Sequence, residues 1–110
     1  MEKEKISVVK SEQYYQDIRD IFDYGAETFG LNAADAFVEE LFYRVDCLFF
    51  QYELHPECRF LPTKGHIYRN IILGSYLIIY RIKTEKIEVL RAFHSKASIS
   101  RLRASRKVKI

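Results

Sequence analysis

Three short apolar runs separated by turn residues most constrain this 110-residue chain. They lie in "IYRNIILGSYLIIYRIKTEKIEVLRAFH", residues 67–94, which is rich in Ile, Val, Leu and Tyr. β-Branched and aromatic residues suit a pleated, half-buried surface, so the runs predict strands over 66–73, 76–83 and 86–94. Gly74-Ser75 predicts a tight turn between the first two, and "KTEK" a longer one between the last two. A meander of this kind cannot stay single-layered, because one of its faces must be covered.

The first half of the chain offers the cover. "KISVVK", residues 5–10, predicts a first strand, and Ser11 stands where a helix N-cap would. Tyr14, Ile18, Ile21, Phe22, Gly25 and Phe29 then recur at three- and four-residue spacing, up to a stop at Gly30. Asn32 predicts the cap of a second helix with Asp35 as a partial capping box. Its apolar face runs from Ala34 through Phe37, Leu41, Val45 and Leu48 to Tyr52, about five turns, until Pro56 ends it. The fold class expected is α+β in the order β-α-α-β-β-β: a helical hairpin packed on one face of a four-stranded, antiparallel-rich sheet. The other face is expected to be open and basic. Residues 1–110 read as a single domain with a basic tail at about 96–110, either a short helix or an unfixed segment.

Charge is unevenly divided. Residues 1–58 hold five Lys/Arg against thirteen Asp/Glu, whereas residues 59–110 hold thirteen Lys/Arg against two Asp/Glu, Glu85 and Glu88. The halves therefore carry −8 and +11, a split that favours an anionic partner for the second. At 48% apolar, the chain can bury a core without disulfides or metal. Cys47, His55, Cys58 and His66 match no structural-zinc spacing, so neither metal nor cofactor is expected. No apolar run reaches membrane-spanning length and "MEKEKISVV" is no secretory signal, so a cytoplasmic protein without membrane contact is expected.

The candidate functional residues are Arg69, Arg81, Arg91, His94 and Lys96. Strand alternation groups Arg69 with Ile71, Arg81 with Leu77 and Ile79, and Arg91 with Val89 and Phe93, and places His94 on the opposite parity from Arg91. The arginines cluster only if the strand registers align. Guanidinium groups bind phosphate through a planar, permanently charged fork, and a neighbouring His can transfer protons near neutral pH. Arg69, Arg81 and His94 are therefore the candidate catalysts of RNA cleavage through a 2′-hydroxyl, while all five residues are candidates for binding a target or partner. The opposing reading is solvated arginines whose stems pack on a sheet and whose heads pair with helix acids.

The order of elements, together with "YLIIYR" and an Arg-x-x-His strand ending at His94, resembles the RelE/ParE superfamily of toxins from type II toxin–antitoxin modules. Weaker agreement extends upstream through "DIRDIFDYGAETFGLNAADAFVEEL". Leu77 stands where RelE-like members carry Arg, so the chain is closer to the ParE branch. It departs from that branch after His94, where Ser95, Lys96, Ala97 and Ser98 replace a Gly-x-Arg-Asp type ending. The resemblance implies a plasmid-stabilisation-like toxin neutralised by a cognate antitoxin that wraps it as a strand plus helix, drawn by the basic sheet edge and tail. It implies DNA gyrase as target. The alternatives are a metal-independent, ribosome-dependent mRNA endonuclease using the candidate catalysts, and a decayed toxin that only binds antitoxin.

Overall fold

The computed structural model describes residues 6–110. Strand β1 (Ser7–Lys10) leads at Ser11 into helix α1 (Glu12–Phe29), and the Ser11 hydroxyl caps that helix by accepting from Tyr14 N at 2.9 Å. Helix α2 (Leu31–Asp46) follows, then a single turn, α3 (Leu48–Gln51). After a loop come β2 (Tyr68–Leu73), β3 (Tyr76–Lys83) and β4 (Lys86–His94). The chain ends in a short helix, α4 (Ile99–Arg103), and a 3₁₀ turn over Ala104–Lys107. The sheet order is β1-β4-β3-β2, with β1 parallel to β4 and the other pairs antiparallel. This is the expected α+β fold, with a mixed sheet. Lys5, the first residue of the expected strand, lies outside the described residues. Among the described residues no helix is long and apolar enough to cross a membrane.

Gly30 closes α1 and opens α2 with φ +97° and ψ 161°. The second helix thus starts one residue before Asn32, which lies inside its first turn and caps nothing. That backbone conformation is open essentially to glycine alone. A Cβ at Gly30 would meet nothing within 4 Å, so only backbone strain opposes a side chain there. Gly30→Ala is expected to lower unfolding free energy by about 1–3 kcal/mol, measured by denaturant titration. The apolar stripe also stops being one helix at Cys47, where α2 ends and α3 begins. Both hairpin loops are two residues long: Gly74-Ser75, with Gly74 at φ +59°, and Thr84-Glu85, shorter than expected.

One core lies between the helices and the sheet. Tyr14, Ile18 and Ile21 of α1 and Leu41 and Val45 of α2 pack on Ile71, Ile78, Tyr80, Ile87 and Val89. A second core fills the opposite face, correcting the expectation that this face is open. Leu102 and Val108 of the tail and Cys58 and Leu61 of the preceding loop bury Ile79, Leu90 and Phe93. The reason is the pattern of β3 and β4, which are apolar on both parities. Ile78 and Ile79 are both fully buried, as are Val89 and Leu90, and a sheet that apolar needs cover on each side. The tail is therefore a strap across the second face.

Candidate functional site

The register separates the sheet arginines. Arg69 is opposite Tyr80, on the helix-covered face, whereas Arg81 is opposite Tyr68 and Glu88 on the strap-covered face. Arg91 is opposite Ile79, because a bulge in the ladder shifts β4 by one residue between Val89 and Arg91. Arg91 thus shares a face with Phe93, as expected, but not with Val89, since a bulge resets alternation beyond it.

Each of the three has internal partners. Arg69 donates to the carbonyls of Glu53 and His55 through Nη1 and of His66 through Nε, at 2.9–3.1 Å, and stitches the loop to β2. Arg81, 9% exposed, donates to Glu88 Oε1 at 2.7 Å and to the strap carbonyls of Arg106 and Val108 at 3.1 Å. Burial alone would lower the pKa of Arg81, but its bonds to Tyr68 and Glu88 outweigh that and leave it raised. Burial likewise pushes the Glu88 carboxyl up, and Arg81 and Lys86 more than reverse it. Arg91 forms a fork with Asp17, Nε to Oδ2 at 2.7 Å and Nη2 to Oδ1 at 2.9 Å, and its guanidinium lies 4.4 Å from the Phe93 ring centroid.

These contacts set the exit of β4. Pairing with β1 ends at Val89; Ser11 then accepts nothing from the strand but donates to it, N to Val89 O and Oγ to Leu90 O. Asp17, one turn and a half further along α1, accepts from Ala92 N at 2.9 Å. The strand is thereby tied to α1 up to two residues before His94. His94 itself is exposed, edge-on to Tyr76 at 5.3 Å between centroids. Its Nδ1 accepts from Lys96 N at 3.1 Å, so the neutral ring keeps its proton on Nε2, free to donate outward.

Two adjoining clefts meet at His94. One, about 400 Å³, is apolar and runs between the helices and the start of β3, lined by Tyr24, Phe29, Ala33, Phe37 and Tyr76. The other, about 350 Å³, is more polar, with Asp17, Asp20, Lys96 and Arg101 on its walls. His94 and Lys96 are thus brought together at an open surface. Arg81 is not part of that group: His94 pairs with Tyr76, and Arg81 lies five residues further along β3, about 16 Å at strand rise. Cys58 is not a nucleophile in waiting either, since burial pushes its thiol pKa up. Three residues that sequence reasoning did not single out belong to the site: Asp17, which fixes Arg91; Tyr76, which backs His94; and Arg101, whose guanidinium lies 5.1 Å from the Phe93 ring. Asp17 and Arg91 are 74 residues apart, and nothing local in the sequence signals their pairing.

Residues 8–98 match the family described as the ParE toxin of the type II toxin-antitoxin system parDE. A solved structure of the chromosomal ParDE toxin–antitoxin system from P. aeruginosa has the same fold, with a TM-score of 0.69 at 18% identity, over 84% of this chain and 98% of that one. No curated protein sequence matches the chain. The family match takes in all of β1 but Ser7, the helical hairpin, the whole meander and His94, and the chain belongs to the ParE toxin family of type II toxin–antitoxin systems.

Proposed function

We propose that this toxin acts in the cytoplasm on DNA gyrase, with His94 and Lys96 as contact residues and Arg69, Arg81 and Arg91 as positioning residues behind them. As a member of the ParE branch, the chain is the toxin half of a pair whose other half is a cognate antitoxin. The observation that carries the choice of target is the internal engagement of the sheet arginines. Metal-independent RNA cleavage needs cationic and proton-transferring groups converging on one phosphate. Here Arg69 serves loop carbonyls, Arg81 serves Glu88 and the strap, and His94, at the end of β4, stands beside the opposite end of β3 from Arg81. A binding surface needs no such convergence, and the open cleft mouth at His94 suits one. The antitoxin is expected on the apolar cleft beside it, where Tyr24 and Phe29 are 58% and 71% exposed.

Purified toxin is expected to block supercoiling of relaxed plasmid by purified gyrase, with antitoxin relieving the block. His94→Ala is expected to raise the toxin concentration needed about tenfold, equivalent to ~1.4 kcal/mol of contact energy. Normal supercoiling at saturating toxin would overturn the reading. If 5′-end mapping after induction showed cuts inside translated messages, lost in His94→Ala, the target would be the ribosome with its mRNA.

A further inference from the structure

We propose that the C-terminal strap is a sequence-independent binding surface for double-stranded DNA, contacting the phosphate backbone rather than the bases. The proposal does not depend on gyrase being the target. It starts from how the strap divides its residues between two sides. Leu102, Ser105 and Val108 are buried against the sheet, and every Lys and Arg between 96 and 109 is exposed. The segment from 96 to 110 contains no Asp or Glu. Apolar contacts fix the strap, and every charge it turns to solvent is positive.

Two of those cations are partly compensated, because Lys96 and Arg101 share a cleft with Asp17 and Asp20. Arg103, Arg106, Lys107 and Lys109 are not, and they are joined by Lys83 from the end of β3. Lys83, Arg106, Lys107 and Lys109 line one shallow depression. Among the described residues none of these five takes part in an ion pair. Glu88, the acid on that wall, is already held by Arg81 and Lys86. Glu85, on the adjoining turn, sits between Lys83 and Lys86, which outnumber it.

The acidic helical hairpin does not cancel this patch. It packs on the opposite face of the sheet from the strap. A helix is about 10 Å across and the sheet intervenes, so the outer surfaces are separated by more than the Debye length of about 8 Å at physiological salt. The hairpin instead gives the molecule a polarity, repelling a polyanion from one side and orienting it toward the other.

The choice of duplex over single strand follows from what the strap lacks. Proteins that hold single-stranded nucleic acid stack bases on aromatic rings. Residues 96–110 contain no Phe, Tyr or Trp, and the rings in the core beneath the strap are already covered: Phe93 is 3% exposed and faced by the guanidiniums of Arg91 and Arg101, while the partly buried Tyr68 and Phe60 have Arg81 and Arg59 over them. Cations on a fixed backbone, with no stacking platform and no long helix or ribbon to enter a groove, can read only phosphate. Arg81 supplies the fixing: it holds the Arg106 and Val108 carbonyls, so the strap's cations are presented from an anchored segment.

The test is fluorescence anisotropy of a labelled 20-base-pair duplex of arbitrary sequence, titrated with the full chain free of antitoxin at 50 to 200 mM salt, with no gyrase present. About four phosphate contacts predict a slope near −3.6 in log K against log salt, roughly a hundredfold weakening over that range. The triple variant Arg103→Gln/Lys107→Gln/Lys109→Gln, all at exposed positions, is expected to lose about 2.7 units of slope, with its thermal melt checked by circular dichroism. Lys64→Gln, an exposed cation on the loop before β2, is expected to change neither affinity nor slope. No duplex binding at 50 mM salt, an unchanged slope in the folded triple variant, or an equal loss in Lys64→Gln would each overturn the proposal. So would tighter binding of single-stranded RNA of the same length, or binding of an acidic peptide by a chain that ignores the duplex.

Discussion

Arg81→Met is expected to cost about 3–5 kcal/mol of unfolding free energy at pH 7, the range for removing one partner of a buried ion pair. Glu88 would remain 5% exposed, with only Lys86 at 3.4 Å to face it, and the Arg106 and Val108 carbonyls would lose their donors. At roughly 4 °C per kcal/mol the melting temperature falls by about 12 °C or more. Adding Glu88→Leu should return much of the loss, because the stranded charge is then gone, but not the strap's anchor. Trypsin should therefore still cut faster at Arg103 and Arg106 in the double variant than in the parent.

The pH dependence separates this account from simple loss of packing. In the parent, Glu88 titrates below its ordinary value, so its contribution is present above the unfolded carboxyl pKa and is lost as pH falls through the folded one. In Arg81→Met, burial dominates and the folded pKa rises. Folding is then penalised at neutral pH and relieved once the carboxyl protonates. The difference between parent and variant should begin to shrink above about pH 4.5, the ordinary Glu value, as the variant's carboxyl protonates, and shrink further below it as the parent's does. A difference that stays constant between pH 7 and pH 3 would show that the pair contributes through packing alone.

The same residues show how far the fold was legible. Strands at 66–73, 76–83 and 86–94 were read to within two residues, because alternation and the Gly74-Ser75 turn are local signals. Helix α1 was equally plain between Ser11 and Gly30. The strap was not. Its buried residues, Leu102, Ser105 and Val108, recur every three positions, which suits the tight turn found there, but a serine in the middle hides the stripe. Ile99, the other bulky apolar residue of α4, is 51% exposed and anchors nothing. What did announce the strap was β3 and β4 being apolar on both parities, a demand for a second cover that no remaining element but the tail and the preceding loop could meet. The candidate site was half legible. Residue types pointed to Arg69, Arg81, Arg91, His94 and Lys96, but their grouping depends on register and on the bulge near Leu90, and neither is written in local pattern.

Asp17→Ala is expected to cost about 2–4 kcal/mol and to blunt toxicity beyond what that loss of stability explains. The carboxylate takes three hydrogen bonds, two from Arg91 and one from Ala92 N. Bonds to charged groups contribute about 1.5–3 kcal/mol net, and the abandoned Ala92 amide adds a desolvation cost. Asp17→Asn should lose about half as much, since its one carbonyl oxygen still serves Ala92 N while the fork to Arg91 is broken. A double-mutant cycle with Arg91→Ala isolates the pair, and a coupling of about 1–3 kcal/mol is expected. Coupling below about 0.5 kcal/mol would mean that Arg91 is held by its stacking on Phe93 instead. The functional consequence follows from position. Asp17 fastens β4 to α1 two residues before His94, at the point where β1 no longer pairs with the strand. Without it the histidine keeps its chemistry but not its place at the junction of the two clefts. Toxin dose–response curves, taken at a temperature where both proteins are fully folded, should then shift for Asp17→Ala and much less for Asp17→Asn.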